Sequence, residues 1–126
     1  MLVVLAVLPA IATTASSLYR KGKYAEIRQN YVAAYCYYSR AYYLKPRNLS
    51  YRIAAIRMRF EAGAQLVERG RELREQGRLE EALAEFQKAA ATDPSSFIAL
   101  QEAHRTRTLI EAASRSAPNR TALQAR

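Results

Sequence analysis

Apolar and small residues recur at three- and four-residue spacing over most of this chain, and glycine or proline interrupts the pattern at a few points. The clearest stretch is residues 63–96, GAQLVERGRELREQGRLEEALAEFQKAAATDPSS. Two helical patterns meet there at Gln76-Gly77-Arg78 and stop at Asp93-Pro94. Gly77 takes the left-handed conformation that closes a helix without steric cost, and Pro94 cannot continue the hydrogen-bond ladder. A second copy of the pattern starts at Ala15, turns at Gln29-Asn30-Tyr31 and ends at Pro46. Its turn lacks glycine, and Asn30 is the residue expected to tolerate the required backbone. The two prolines lie 48 residues apart. The surplus over one 34-residue unit is residues 49–62, LSYRIAAIRMRFEA, which contain no breaker. They predict one long helix over residues 50–76, capped by Ser50, with Ile53, Ile56 and Phe60 as one apolar stripe. After Pro94, Ser95-Ser96 predicts the cap of a last helix running to about Ser114, marked by Phe97, Ile98, Leu100, Leu109 and Ile110. Past Ser116 the pattern ends, and residues 116–126 are expected to form a flexible tail. No stretch alternates apolar and polar residues for long, so the expected class is all-α, with residues 16–115 as one helical domain.

The opening, MLVVLAVLPAIATTA, is different in kind. An apolar run over residues 2–8 is followed by Pro9 and small residues, which resembles the apolar core and cleavage region of a secretory signal peptide. The run falls short of the about 20 residues a bilayer span requires. Residues 1–15 therefore predict export to the periplasm or outer membrane, with membrane contact only through this segment. No Lys or Arg precedes the run, and an ordinary first helix in a cytoplasmic protein is the alternative.

Length and composition narrow the picture further. A chain of 126 residues, half of them apolar, supports one domain with a continuous core. The net charge of +9 is unevenly placed: residues 1–60 carry ten Lys/Arg against the single acid Glu26, whereas residues 61–126 balance ten against ten. A basic half attracts an acidic protein surface, nucleic acid or anionic lipid, or simply keeps a face solvated. Nine tyrosines, all between Tyr19 and Tyr51, are interleaved with these cations. Tyr35, Tyr38 and Tyr42 share one helical face and predict packing; Tyr37 and Tyr43 fall off it and are candidates for exposure and base stacking. Cys36 stands alone and is expected to be buried and inert. His104 has no second histidine or cysteine near it, and Glu80-Glu81 suits a helix N-terminus rather than acid–base chemistry. No phosphate loop, nucleophile elbow or metal spacing is present. The expectation is a non-enzyme with no cofactor, no metal and no small-molecule substrate.

The residues of 63–96 resemble the tetratricopeptide repeat, a 34-residue helix–turn–helix unit. Leu66, Gly70, Leu73, Ala82, Phe86, Ala89 and Pro94 match its signature, and Arg69 departs where an apolar residue is usual. In the earlier copy Leu18, Gly22, Ala34, Tyr38, Ala41 and Pro46 match, Ala25 is small for its place, and Lys21 repeats the departure. The resemblance implies two such repeats, one long intervening helix and a C-terminal capping helix, with Gly70 and Ala82 facing each other where two helices cross. It also implies a concave face. Mapped onto this chain, that face carries Ser16, Tyr19, Lys23 and Glu26, then Ala64, Val67, Arg71 and Arg74. Tyr19, Lys23, Glu26, Val67, Arg71 and Arg74 are the candidate partner-binding residues. The Lys/Asn set that clamps a C-terminal carboxylate is missing. The whole series over residues 16–110 is similar to the repeat region ahead of bacterial secretins, the outer-membrane pore subunits of type II secretion and type IV pilus machines. That implies protein–protein interaction with a subunit of an envelope complex. A basic, tyrosine-rich nucleic-acid binder and a truncated fragment without activity of its own are the alternatives.

Overall fold

The computed structural model describes residues 14–124, and those residues are all-α, with five helices in chain order. They are α1 (Ala15–Ile27), α2 (Tyr31–Leu44), α3 (Leu49–Glu75), α4 (Leu79–Thr92) and α5 (Phe97–Gln124). The signal-peptide reading of the chain start lies almost wholly outside the described residues. Thr14 and Ala15 belong to α1: the Thr14 hydroxyl accepts from the Ser17 N–H at 3.2 Å, and Ala15 is buried. Each helix packs on the next, and α3 also meets α5.

The long helix runs unbroken from Leu49 to Glu75, as the absence of any breaker predicts. Its cap is Asn48, whose Oδ1 accepts from the Tyr51 N–H at 3.1 Å, and not Ser50, which lies inside the first turn. Asn30 plays the same part for α2, accepting from the Ala33 N–H at 3.2 Å. The left-handed position of that first turn is therefore Gln29, at φ 58°, the counterpart of Gly77 at φ 77° in the second. A capping asparagine needs φ below zero, so the strained position moves one residue back. The last helix passes Ser114 and reaches Gln124. Residues 111–117 are exposed, so local propensity and the Glu111–Arg115 pair one turn apart carry the helix there.

Two cores form. One joins Ala25, Ala34, Tyr38, Ala54, Ala55 and Met58, with Tyr19, Tyr31, Tyr35, Tyr37 and Tyr42 packed against it. The other joins Leu66, Val67, Ala82, Phe86, Ala89, Ala99 and Ala103. In both, a large ring is fully buried opposite a glycine. A Cβ on Gly22 would come within 2.5 Å of Tyr38 ring atoms, and a Cβ on Gly70 within 2.5 Å of Phe86. The residue that needs a glycine at position 70 is thus Phe86, rather than Ala82.

Candidate interaction surface

Two ion-pair networks tie α3 to the helices on either side of it. In the first, Glu26 on α1 pairs with Arg57 on α3, through Arg57 Nη1 and through Nη2 at 3.0 Å. The buried Tyr38 hydroxyl donates to the same carboxylate at 2.7 Å. The Arg57 guanidinium holds the Glu26 carboxyl below its usual range against the opposing effect of burial, and Tyr38 adds to the lowering. Burial, and then the hydrogen bond to Glu26 and its charge, push the Tyr38 phenol up. In the second network, Glu102 on α5 accepts from Arg71 Nε at 3.0 Å and from Arg74 Nη1 at 2.5 Å. Arg74 also donates to Thr106 Oγ1 at 3.3 Å and lies over the Phe86 ring. The guanidinium of Arg74, and then that of Arg71, hold the Glu102 carboxyl below its usual range. Counted back from Pro46 and Pro94, Glu26 and Arg74 occupy corresponding positions, and each bridges to the helix two further along. The charges are reversed.

These pairs redefine the expected concave face. Glu26, Arg71 and Arg74 are engaged within the fold, and Val67, 5% exposed, belongs to the second core. Tyr19 packs between Tyr38 and Tyr51, with centroids 5.3 and 4.9 Å away. Of the six candidates only Lys23 stands exposed, its ammonium 5.3 Å from the Tyr19 ring centre. Sequence spacing could not show this, because Arg74 and Arg71 meet Glu102 across 28 and 31 residues of chain. Gln65 was missed for the same reason. Its Nε2 donates to the Gln29 carbonyl at 2.8 Å and its Oε1 accepts from the Val32 N–H at 3.2 Å, which ties α3 to the α1–α2 turn.

What the fold leaves open is the other side of α3. Ile53, Ile56 and Phe60 do form one stripe, but it is 55, 41 and 46% exposed, and Leu49 extends it at 64%. The buried face of that segment is made of the smaller Ala54, Ala55 and Ala62 together with Met58. The stripe leads into a groove of about 170 Å³ whose lining is half apolar (Phe60, Ala64, Val67 and Ile98) and half polar, with Glu68, Arg71 and Asp93 among the latter. A larger, shallow groove of about 750 Å³ lies between α1 and α2, lined by Arg20, Lys21, Tyr24, Arg28 and Tyr37 among others. There Arg28 lies over the Tyr24 ring, 5.0 Å from its centre. Tyr24 and Tyr43 are 60 and 84% exposed, whereas Tyr37 packs against the first core. Cys36 is exposed, not buried. On α2 the core takes Ala34, Tyr38 and Ala41, and residue 36 points away from that face by helical geometry.

Among the described residues no cluster of three His, Cys, Asp or Glu side chains is placed to hold a metal ion. None of the described helices is long and apolar enough to cross a membrane. No protein-family model, curated protein or solved structure matches this chain.

Proposed function

We propose that this chain is a non-catalytic helical-hairpin module of tetratricopeptide type that docks a protein partner. The observation that carries the reading is the exposed stripe of Leu49, Ile53, Ile56 and Phe60 on a helix whose opposite face is fully used by the core. Exposed apolar residues scattered singly need no explanation, but a contiguous row on a rigid helix is the usual form of a protein-binding surface. An envelope partner, in keeping with the resemblance to secretin-associated repeats, fits a chain that opens on a signal-like segment. The test is a photo-crosslinking residue placed at Ile56, with one at the exposed Gln87 of α4 as control, in the producing cell. A discrete adduct at position 56 alone is expected. Equal labelling at both positions, or none at either, removes the docking reading. A periplasmic reporter joined after Ser17 should be exported; activity confined to the cytoplasm removes the envelope part.

A second reading, binding of single-stranded nucleic acid, is favoured by the groove between α1 and α2. Arg20, Lys21 and Arg28 surround the exposed Tyr24 there without an acid among the lining residues. It ranks second because most of the tyrosines that suggested it are packed in or against the core.

A further inference from the structure

Resting on the docking reading, we infer that the α3 stripe binds an amphipathic helix of a partner protein whose flanking positions are acidic. Leu49, Ile53, Ile56 and Phe60 follow one another at intervals of four, three and four residues. That is the seam spacing of a coiled coil, in which the residues flanking the seam select the partner by charge. The flanking positions here are Ser50, Arg52, Arg57 and Arg59. Arg52 is exposed, Arg59 lies over the Phe60 ring 4.9 Å from its centre, and Arg57 is partly neutralised by Glu26. No acid of α3 itself occupies a flanking position, and the unpaired cations there are Arg52 and Arg59.

The flanking charges disfavour a second copy of this chain. Paired parallel or antiparallel, two such stripes bring arginine against arginine, and like charges across a seam are unfavourable. An acidic helix meets the opposite situation, with cations on both sides of an apolar row.

The same face of α3 carries its own precedent. Beyond Phe60 the same face of α3, though not the seam register, continues through Ala64, Val67 and Arg71. Ala64 is still exposed, but past it α5 covers the face: Ala99 and Ala103 of α5 share a core with Val67, and Glu102 of α5 reaches Arg71 and Arg74. The covering helix is thus small or apolar toward the row and acidic toward the arginines. The residues added between the two hairpins, 49–62, lengthen the row past the start of α5 and leave its first half uncovered.

Two synthetic helices of about 21 residues (three heptads) test this against the full chain. Both have leucine along the seam; one has Glu and the other Lys at the flanking positions. By fluorescence anisotropy, the Glu helix should bind at least about tenfold more tightly than the Lys helix, with a preference that shrinks as salt rises. Ile53→Glu with Ile56→Glu should abolish binding, and because both positions are exposed the fold should survive, as circular dichroism would report. Arg52→Glu with Arg59→Glu should reverse the preference. Equal binding of both helices, no binding of the Glu helix, or binding indifferent to the Ile changes overturns the inference. A dimer in sedimentation that Ile56→Glu dissociates also overturns it, in favour of self-association. If the Glu helix fails while a crosslink at position 56 persists, the docking reading stands and only the acidic-helix identity falls. If both fail, both readings fall.

Discussion

The ring of Tyr38 fills the space that a side chain at position 22 would need: a Cβ on Gly22 would stand 2.5 Å from its Cδ1 and Cε1 atoms. The Tyr38 hydroxyl is in turn held by Glu26 at 2.7 Å, so the ring has little freedom to retreat. Gly70 and the fully buried Phe86 repeat the arrangement in the second hairpin. Alanine in mid-helix gains roughly 0.5–1 kcal/mol over glycine from backbone entropy, whereas overpacking costs roughly 1–3 kcal/mol. The clash should win. Gly22→Ala and Gly70→Ala are each expected to lose about 1–2 kcal/mol by urea unfolding. Unchanged midpoints in both would mean that the two rings can retreat from the glycines at little cost.

The two turns give the opposite prediction. Gln29 and Gly77 hold corresponding left-handed positions, at φ 58° and 77°. That conformation costs an ordinary residue about 1–2 kcal/mol, and glycine returns part of this through its freer unfolded chain. Gln29→Gly should therefore stabilise by about 0.5–1 kcal/mol, and Gly77→Gln should destabilise by a similar amount. The Gln65 bond to the residue 29 carbonyl is a backbone contact and survives the change. A Gln29→Gly variant with a lower melting temperature would contradict this account.

The helices were legible because their signals are local. Pro46 and Pro94 end two of them, Gly77 ends a third, and the unbroken segment after Asn48 predicts the length of α3. Which face of each helix is used was harder to read. Ile53, Ile56 and Phe60 have the hydrophobicity of a core stripe, yet the tyrosines of α2 take up the volume beside α3. Small Ala54 and Ala55 fit against them, and the larger side chains are left outside. The surroundings of the expected partner-binding arginines were hard to read for a related reason. Arg71 and Arg74 lie on an open-looking face until α5 arrives with Glu102. Repeat matching assigns slots, whereas tertiary contact decides which of them remain free.

Glu102 and Glu26 make the fold sensitive to acid. Both carboxyls are held below their usual range by arginines. A carboxyl whose pKa is lower in the folded state binds fewer protons there than in the unfolded chain. Its contribution is complete above the unfolded value, near 4.3, and is lost as pH falls through the folded one. Stability should thus decline on acidification below about pH 5. Glu102→Gln should lower stability at pH 7 by about 1–3 kcal/mol, since it leaves partly buried guanidinium groups without their carboxylate. It should also flatten the acid slope. A variant with the same slope as the parent would show that this pair does not supply it.

Gln65 offers a local test of how the first hairpin is held to α3. Its amide accepts from the Val32 N–H, a donor in the first turn of α2 with no partner within its own helix. Gln65→Leu should expose that donor and the Gln29 carbonyl, costing about 1–2 kcal/mol. The sharper readout is hydrogen exchange. The Val32 amide should exchange faster in the variant while the Ala33 amide, capped by Asn30, keeps its protection. Equal acceleration at both would point to general loosening instead of a lost bridge.

Salt separates the docking reading from its rival. Ten cations in residues 1–60 will bind any polyanion at low ionic strength, so weak binding to nucleic acid there distinguishes nothing. The difference lies in what survives screening. Stacking of bases on exposed aromatic rings is worth about 1–3 kcal/mol per base and does not depend on counterions. The rings able to do it are Tyr24, beside Arg20, Lys21 and Arg28, and Tyr43 at the end of α2. Tyr37 also lines that groove but is partly buried against the core, which leaves less of its ring free. Two exposed rings at separate places and one half-buried ring make a poor stacking track, so affinity for single-stranded nucleic acid should fall steeply with salt and be undetectable at micromolar concentration at about 150 mM. Tyr24→Ala and Tyr43→Ala should then leave the low-salt binding almost unchanged. Micromolar binding at about 150 mM salt, weakened by either tyrosine change, would move the function from α3 to the groove between α1 and α2.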